Sequence, residues 1–121
     1  MSSRRTLPVV PRIKMSDADR HAARLRNRLA PLDLVPIAEV PARQVRRLGG
    51  EVKRIGCTPR QGVPAVEIVV SDGTGDAVAV FTGRRQIGGI HHGGVMVIEG
   101  IVREERGRKV LLNPAYTLIA D

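Results

Sequence analysis

Residues 66–81 carry apolar side chains with the two-residue period of a β-strand, in two runs separated by a glycine-containing segment. The alternating apolar positions are Val66, Ile68 and Val70 before that segment and Val78 and Val80 after it. The segment itself is Asp-Gly-Thr-Gly, and we expect Gly73 and Gly75 to supply the positive φ of a tight reversal. The pattern predicts a β-hairpin whose second face is also apolar, because it would carry Val69, Ala77 and Ala79.

Three further strands are predicted around this hairpin. The first would run over residues 44–58, with a bulge or kink at Gly49-Gly50 that lets a long strand bend across a closed sheet. The fourth would cover residues 95–102, and the fifth would run from 109 to about 112 and continue toward Tyr116. Five short strands, a long first strand and a non-strand segment between the third and fourth fit an all-β OB-fold, a five-stranded, partly open Greek-key barrel. The spacing alone would also allow an SH3-like barrel.

A helical period precedes the strands. Its apolar face carries Ala18, Ala22, Leu25 and Leu29, and its opposite face carries Arg20, Arg24 and Arg28. Ser16 and Asp19 have the spacing of a short capping box, and Pro31 marks the end of the helix. The arginine face is interpreted either as the solvated side of a packing helix or as a ridge that follows phosphates.

The length of 121 residues suits one domain with extensions. We expect a disordered basic arm at 1–15, an amphipathic helix at 16–30, a proline-rich connector at 31–43 and the barrel at 44–121. Within the connector, one helical turn is expected near residues 37–40.

The chain is strongly basic, with a formal net charge of +8. Residues 1–30 contain eight basic and two acidic side chains, so most of the net charge lies outside the predicted barrel. This balance favours polyanionic partners. Cys57 is the only cysteine, which rules out an intrachain disulfide, and no apolar run has the length of a membrane span. A cytoplasmic protein that makes no membrane contact is therefore expected.

Several segments taken together are similar to a known family. They are Ser71-Asp72-Gly73-Thr74-Gly75, residues 80–90 (VFTGRRQIGGI), Gly94, residues 99–102 (EGIV) and Asn113-Pro114-Ala115-Tyr116. Over about residues 37–120, the chain resembles the OB-type wedge domain of RecG-type helicases and, more closely, small actinobacterial OB-fold nucleic-acid-binding proteins. The resemblance implies the OB-fold and, more weakly, a nucleic-acid ligand.

OB-folds bind oligonucleotides across strands two and three, between the loop joining strands one and two and the loop joining strands four and five. Both loops are basic in this chain, at residues 58–64 and 103–109, and Arg84 and Arg85 could act as forks for phosphate. The candidate nucleic-acid-binding residues are Arg46, Arg47, Lys53, Arg54, Arg60, Arg84, Arg85, Arg106, Arg108, Lys109 and Tyr116.

Aromatic side chains are scarce, since the chain has only Phe81 and Tyr116. Phe81 ends an apolar strand and is expected in the core, whereas Tyr116 suits a barrel cap and a ligand contact equally well. Stacking on aromatic rings is a main source of single-strand affinity in OB-folds. Binding is therefore predicted to be weak, dependent on the phosphate backbone and sensitive to salt.

The sequence contains no acid–base pair, phosphate loop or hydrolase elbow. His91 and His92 are adjacent, so on an extended segment they point to opposite sides and cannot close a metal site on one chain. We predict a non-enzymatic module without metal or cofactor that binds single-stranded DNA or RNA. The alternative is a protein-interaction module that docks on a larger DNA- or RNA-handling complex, which the apolar second face of the hairpin favours.

Overall fold

The computed structural model describes residues 16–120, so the basic arm expected at 1–15 lies outside the described residues. The helical elements are α1 (Asp17–Leu29) and 3₁₀ turns at Ala30–Leu32 and Ile37–Glu39. The strands are β1 (Val45–Cys57), β2 (Ala65–Ser71), β3 (Asp76–Thr82), β4 (Val95–Ile101), β5 (Arg103–Glu105), β6 (Arg108–Leu112) and β7 (Ala115–Ile119). Within 16–120, no helix is long and apolar enough to span a membrane.

The predicted helix is present and carries the predicted cap. The Ser16 hydroxyl accepts a hydrogen bond from the Asp19 amide at 3.0 Å, and the Asp19 carboxylate accepts one from the Ser16 amide at 3.3 Å. These two bonds satisfy amide donors that a helix start leaves without partners. Leu25 is the buried residue of the apolar face, and it sits where α1 packs beside β1.

A buried carboxylate joins α1 to the barrel. Glu51 on β1 is hydrogen-bonded to the His21 ring at 2.7 Å and forms an ion pair with Lys53 at 2.9 Å. Burial by itself raises the pKa of Glu51, but the hydrogen bonds from His21 and Lys53 outweigh it and leave that pKa below its ordinary value. The charged form of Glu51 therefore stabilises the docked helix.

The strands form one sheet in the order β5-β6-β3-β2-β1-β4-β7, antiparallel except for the parallel β3/β6 pair. The sheet has seven strands where five were predicted. A short strand, β5, forms within the segment 103–109 predicted as a loop, and the predicted fifth strand is divided into β6 and β7. Val102 separates β4 from β5, and Asn113 with Pro114 separates β6 from β7. Asn113 has a φ of 48°, outside the extended range of a strand. Since β5 continues β4 and β7 continues β6, the chain itself connects the two edges of a partly open barrel.

The long strand β1 changes partner along its length. Val45–Glu51 pairs with β4, and Glu51–Cys57 pairs with β2. The register shift lies between Val52 and Arg54, so the bulge predicted at Gly49-Gly50 is misplaced. Gly50 instead allows close approach, because a Cβ there would stand 2.5 Å from the Ser71 carbonyl oxygen.

The predicted hairpin forms, but the faces of its second strand are exchanged relative to the prediction. Val66 lies opposite Phe81 and Ile68 lies opposite Ala79, so the alanines of β3 enter the barrel core. Val78 and Val80 instead lie on the outer face. The two-residue period determines which residues of one strand share a face. Only the register across the turn decides which alternate residues of β3 lie on the same face as Val66, Ile68 and Val70 of β2.

The turn between β2 and β3 is organised by one aspartate. An oxygen of Asp72 accepts hydrogen bonds from the amides of Thr74 at 2.9 Å and Gly75 at 3.3 Å. Its other oxygen accepts the Ile37 amide at 2.9 Å and so ties the turn to the second 3₁₀ turn. Gly73 has the expected positive φ of 92°, whereas Gly75 does not adopt one.

Candidate nucleic-acid interface

The outer face of β2, β3 and β6 is the surface on which OB-folds receive oligonucleotides. Its centre consists of small apolar side chains, and Val78, Val80 and Val110 are each no more than 2% exposed. Helix α1 does not cover this face, because it lies beside β1. Charged side chains from the surrounding strands and loop cover it instead.

Two ion pairs span this face across β3. Arg60, in the loop between β1 and β2, is bonded to Glu105 on β5 at 2.9 and 2.7 Å. Arg108 on β6 reaches Glu67 on β2 at 3.9 Å. Arg108 on β6 and Glu67 on β2 lie on either side of β3 in the sheet order, and Glu67 is opposite Val80 in register, so this pair spans the outer face of β3. The centre of the face therefore carries paired charges, while Arg103, which lies opposite Val110 in the β5/β6 register, stands at its β5 edge.

The Arg60–Glu105 pair joins the β1–β2 loop to strand β5, which forms within the segment 103–109 that was predicted to be a loop. One guanidinium nitrogen of Arg60 donates to both carboxylate oxygens of Glu105. The Arg60 side chain is 30% exposed and the Glu105 side chain is 27% exposed. The hydrogen bond from Arg60 holds the pKa of Glu105 below its ordinary value, and burial opposes this only in part. Arg60 is further positioned by the backbone bonds that it exchanges with Val63, at 2.7 and 3.0 Å.

Several candidate residues carry exposed cations without an ion pair within residues 16–120. They are Arg47, Arg54, Arg84, Arg85 and Arg106. Arg46 is half-buried and donates to the Val45 carbonyl at 2.9 Å and to the Gln44 side chain. Lys53 is committed to Glu51.

Lys109 and Tyr116 do not lie on the covered face. The Lys109 ammonium donates to the Ile37 carbonyl, so this lysine supports the second 3₁₀ turn. The Tyr116 ring meets Phe81 edge-on, with centroids 5.3 Å apart and planes at 78°. Phe81 is only 5% exposed, which confirms its predicted place in the core, while Tyr116 keeps 38% of its surface exposed.

A groove lies where the strands are interrupted, beside the covered face. A cavity of about 770 Å³ is lined by the charged residues Arg43, Arg103 and Glu104 and by the apolar side chains of Ile101 and Leu112, among others. A second cavity of about 480 Å³ adjoins it at Arg103 and Leu112 and extends to Arg60. We call these two adjoining cavities the arginine groove.

Arg43 and Arg103 were absent from the candidate residues derived from the sequence. Both are exposed, and neither forms an ion pair in the described part of the chain. The only sequence signal for them was the clustering of basic residues at 43–47 and 103–109. Their proximity depends on the Arg43 amide, which donates to the Val102 carbonyl and so brings the start of β1 against the gap between β4 and β5.

Residues 16–120 contain no group of three histidine, cysteine or acidic side chains placed to hold a metal ion. Cys57 is exposed and free. The His91 ring lies 3.1 Å from the His92 carbonyl oxygen.

No protein-family model matches the chain, and no curated protein matches it significantly. Among solved structures, it is similar to RecG bound to a three-way DNA junction, with 14% identity and a TM-score of 0.56 over 70% of this chain and 12% of that one. It therefore spans only a small part of RecG.

Two smaller proteins are matched over most of their length. The replication factor A related protein from Methanobacterium thermoautotrophicum has 20% identity and a TM-score of 0.56, covering 71% of this chain and 90% of that one. The second OB-fold domain of replication protein A from Methanococcus maripaludis has 13% identity and a TM-score of 0.57. The likeness covers 72% of this chain and 95% of that one. These likenesses confirm the predicted OB-fold and, at the level of the fold, the resemblance to RecG.

Proposed function

We propose that this OB-fold domain is a non-enzymatic module that binds single-stranded DNA or RNA weakly, through the phosphate backbone. The observation that carries the proposal is a set of exposed arginines without ion pairs in the described part of the chain. They lie on β1 (Arg47 and Arg54), in the β5–β6 turn (Arg106) and in the segment after β3 (Arg84 and Arg85). Free guanidinium groups bind phosphate oxygens strongly because their donors form a planar fork.

The aromatic side chains explain why the affinity should be low. The chain has one phenylalanine, Phe81, one tyrosine, Tyr116, and no tryptophan. Phe81 is buried, so Tyr116 is the one partly exposed ring among them. Stacking contributes roughly 1–3 kcal/mol per base in single-strand-binding proteins. With at most one ring available, phosphate contacts supply most of the binding free energy.

Residues outside the barrel are proposed to add electrostatic contacts. Residues 1–15 include Arg4, Arg5, Arg12 and Lys14, and the exposed face of α1 includes Arg24. These charges increase the attraction of polyanions without a specific geometry.

A binding titration tests the proposal. The full chain is titrated against labelled oligonucleotides of about 16 nucleotides, as single-stranded DNA, RNA and duplex DNA, with fluorescence anisotropy as the readout. Raising the salt from about 50 to about 200 mM should weaken single-strand binding by about tenfold or more, with little dependence on sequence. Affinity that stays constant over this range would contradict the proposal.

A protein-interaction module is the second candidate, and one observation favours it. Val45 and Ile101 face each other across β1 and β4 and are 57% and 58% exposed. The support expected from the outer face of the hairpin is lost, because the valines there are buried beneath ion pairs. If nucleic-acid binding is absent while a specific protein is retained by the wild-type chain and lost on joint Val45→Ser and Ile101→Ser substitution, this second function holds.

A further inference from the structure

We infer that the arginine groove, and not the centre of the β2–β3 face, is the path of a bound single-stranded phosphodiester chain. The inference rests on the proposed function and specifies where on the barrel the strand lies. It assigns Arg43 and Arg103, together with Arg60, as the phosphate-contacting cations.

The β2–β3 face offers little to a nucleic-acid strand. Its valines are almost fully buried, and the Arg60–Glu105 and Arg108–Glu67 pairs lie across them. Both carboxylates would repel a phosphate placed over the centre of the face. A strand that crossed there would have to break both pairs and would find no aromatic ring to stack on.

Within residues 16–120, the groove presents the unpaired Arg43 and Arg103 beside one lining carboxylate, Glu104. Arg43 stands at one end and Arg103 at the junction of the two cavities, and neither guanidinium forms an ion pair in the described chain. A phosphate can bind either one without displacing a carboxylate. The adjoining apolar side chains of Ile101 and Leu112 can contact sugars and base faces.

Arg60 closes the other end of the groove and already binds an anion. Its guanidinium nitrogen contacts both oxygens of Glu105 at 2.9 and 2.7 Å, which shows that an oxyanion fits this position. A phosphate that approaches along the groove can replace the carboxylate on Arg60. This exchange makes Arg60 a weaker contact than Arg43 or Arg103.

Joint substitution of two arginines tests the path, with a control matched in charge. One variant carries Arg43→Gln and Arg103→Gln, and the control carries Arg24→Gln and Arg26→Gln on α1, so each loses two exposed cations. The groove variant should bind single-stranded DNA and RNA about tenfold more weakly, and its salt dependence should lose about 0.7 of slope per contact removed. The control should lose about twofold or less, through the general field alone.

Equal losses in the two variants, or a larger loss in the control, would overturn the groove and leave the proposed function intact. Absence of single-strand binding by the wild-type chain at low salt would instead remove the proposed function itself. Amide chemical-shift changes on adding single-stranded DNA give a second readout that needs no variant. They should concentrate at residues 42–44, 100–104 and 111–113, and changes confined to residues 83–90 would contradict the path.

Discussion

At the scale of the residue, the decisive contact is the one between Arg60 and Glu105. The two residues are 45 positions apart in the chain, yet a two-oxygen contact links the β1–β2 loop to β5. Because both side chains are partly exposed, the pair contributes about 1 kcal/mol or less to stability. Its main consequence is electrostatic, since it neutralises a cation at the edge of the arginine groove.

Glu105→Gln should therefore tighten single-strand binding by about three- to tenfold, because it frees the Arg60 fork for phosphate. The matched control is Glu39→Gln, which removes the same charge at an exposed position outside the arginine groove and releases no ion-paired arginine in the described structure. That control should change affinity by about twofold or less. Anisotropy titrations of both variants at one salt concentration make the comparison, and equal gains would show that Glu105 acts only through the general field.

At the scale of the element, β1 joins the two halves of the sheet. It pairs with β4 over its first half and with β2 over its second, and the change of partner occurs at Glu51. Gly50 lies directly before this point, where the backbone of Ser71 on β2 leaves no room for a side chain. Glycine is needed there for close approach, and not to form a bulge.

Gly50→Ala should accordingly lower the free energy of unfolding by about 1–3 kcal/mol, because the new Cβ would force β2 to move. Gly56→Ala on the same strand is the control, since a Cβ at that position meets nothing within 4 Å. Its effect should stay within about 0.5 kcal/mol. The free energies of unfolding of both variants are measured by urea unfolding, with circular dichroism as the readout. Similar unfolding midpoints for the two variants would contradict the close approach of Ser71 to Gly50.

At the scale of the whole molecule, the attachment of α1 to the barrel depends on pH. His21 on the helix and Lys53 on the barrel both contact Glu51, whose pKa is lowered in the folded state. A carboxylate with a lowered folded pKa stabilises the fold fully above its unfolded pKa, which is about 4.3. That contribution is lost as the pH falls through the folded pKa.

The melting temperature of the wild-type chain should therefore fall as the pH drops from about 5 to about 3. Glu51→Gln should lower stability at neutral pH by about 1–3 kcal/mol and show a shallower acid loss, because the titrating carboxylate is gone. Glu99→Gln, at an exposed position on β4, is the control and should keep the wild-type pH profile. The measurement is the melting temperature of each variant at several pH values. If the melting temperatures of the wild type and of Glu51→Gln fall in parallel with pH, the role of Glu51 is refuted.

Local patterns in the sequence were enough to predict the helix, its cap and the principal strands. The spacing of Ser16 and Asp19 and the period of the residues that follow depend on contacts three or four residues apart. The hairpin at 66–81 likewise follows from alternation and a short turn. Such features are determined by near neighbours in the chain, so they can be recognised without the fold, and together they pointed to the OB-fold.

Only the tertiary structure decided which surfaces remain free. The face of Val78 depends on the register across the turn, and a shift of one residue would exchange the two faces of β3. Whether Arg60 is free or paired depends on Glu105. The proximity of Arg43 to Arg103 depends on the hydrogen bond from the Arg43 amide to the Val102 carbonyl, between distant parts of the chain. These contacts join residues tens of positions apart and arise only when the barrel closes. Sequence alone therefore determined the fold and the excess of positive charge, whereas the packing of distant segments determined which cations can meet a ligand.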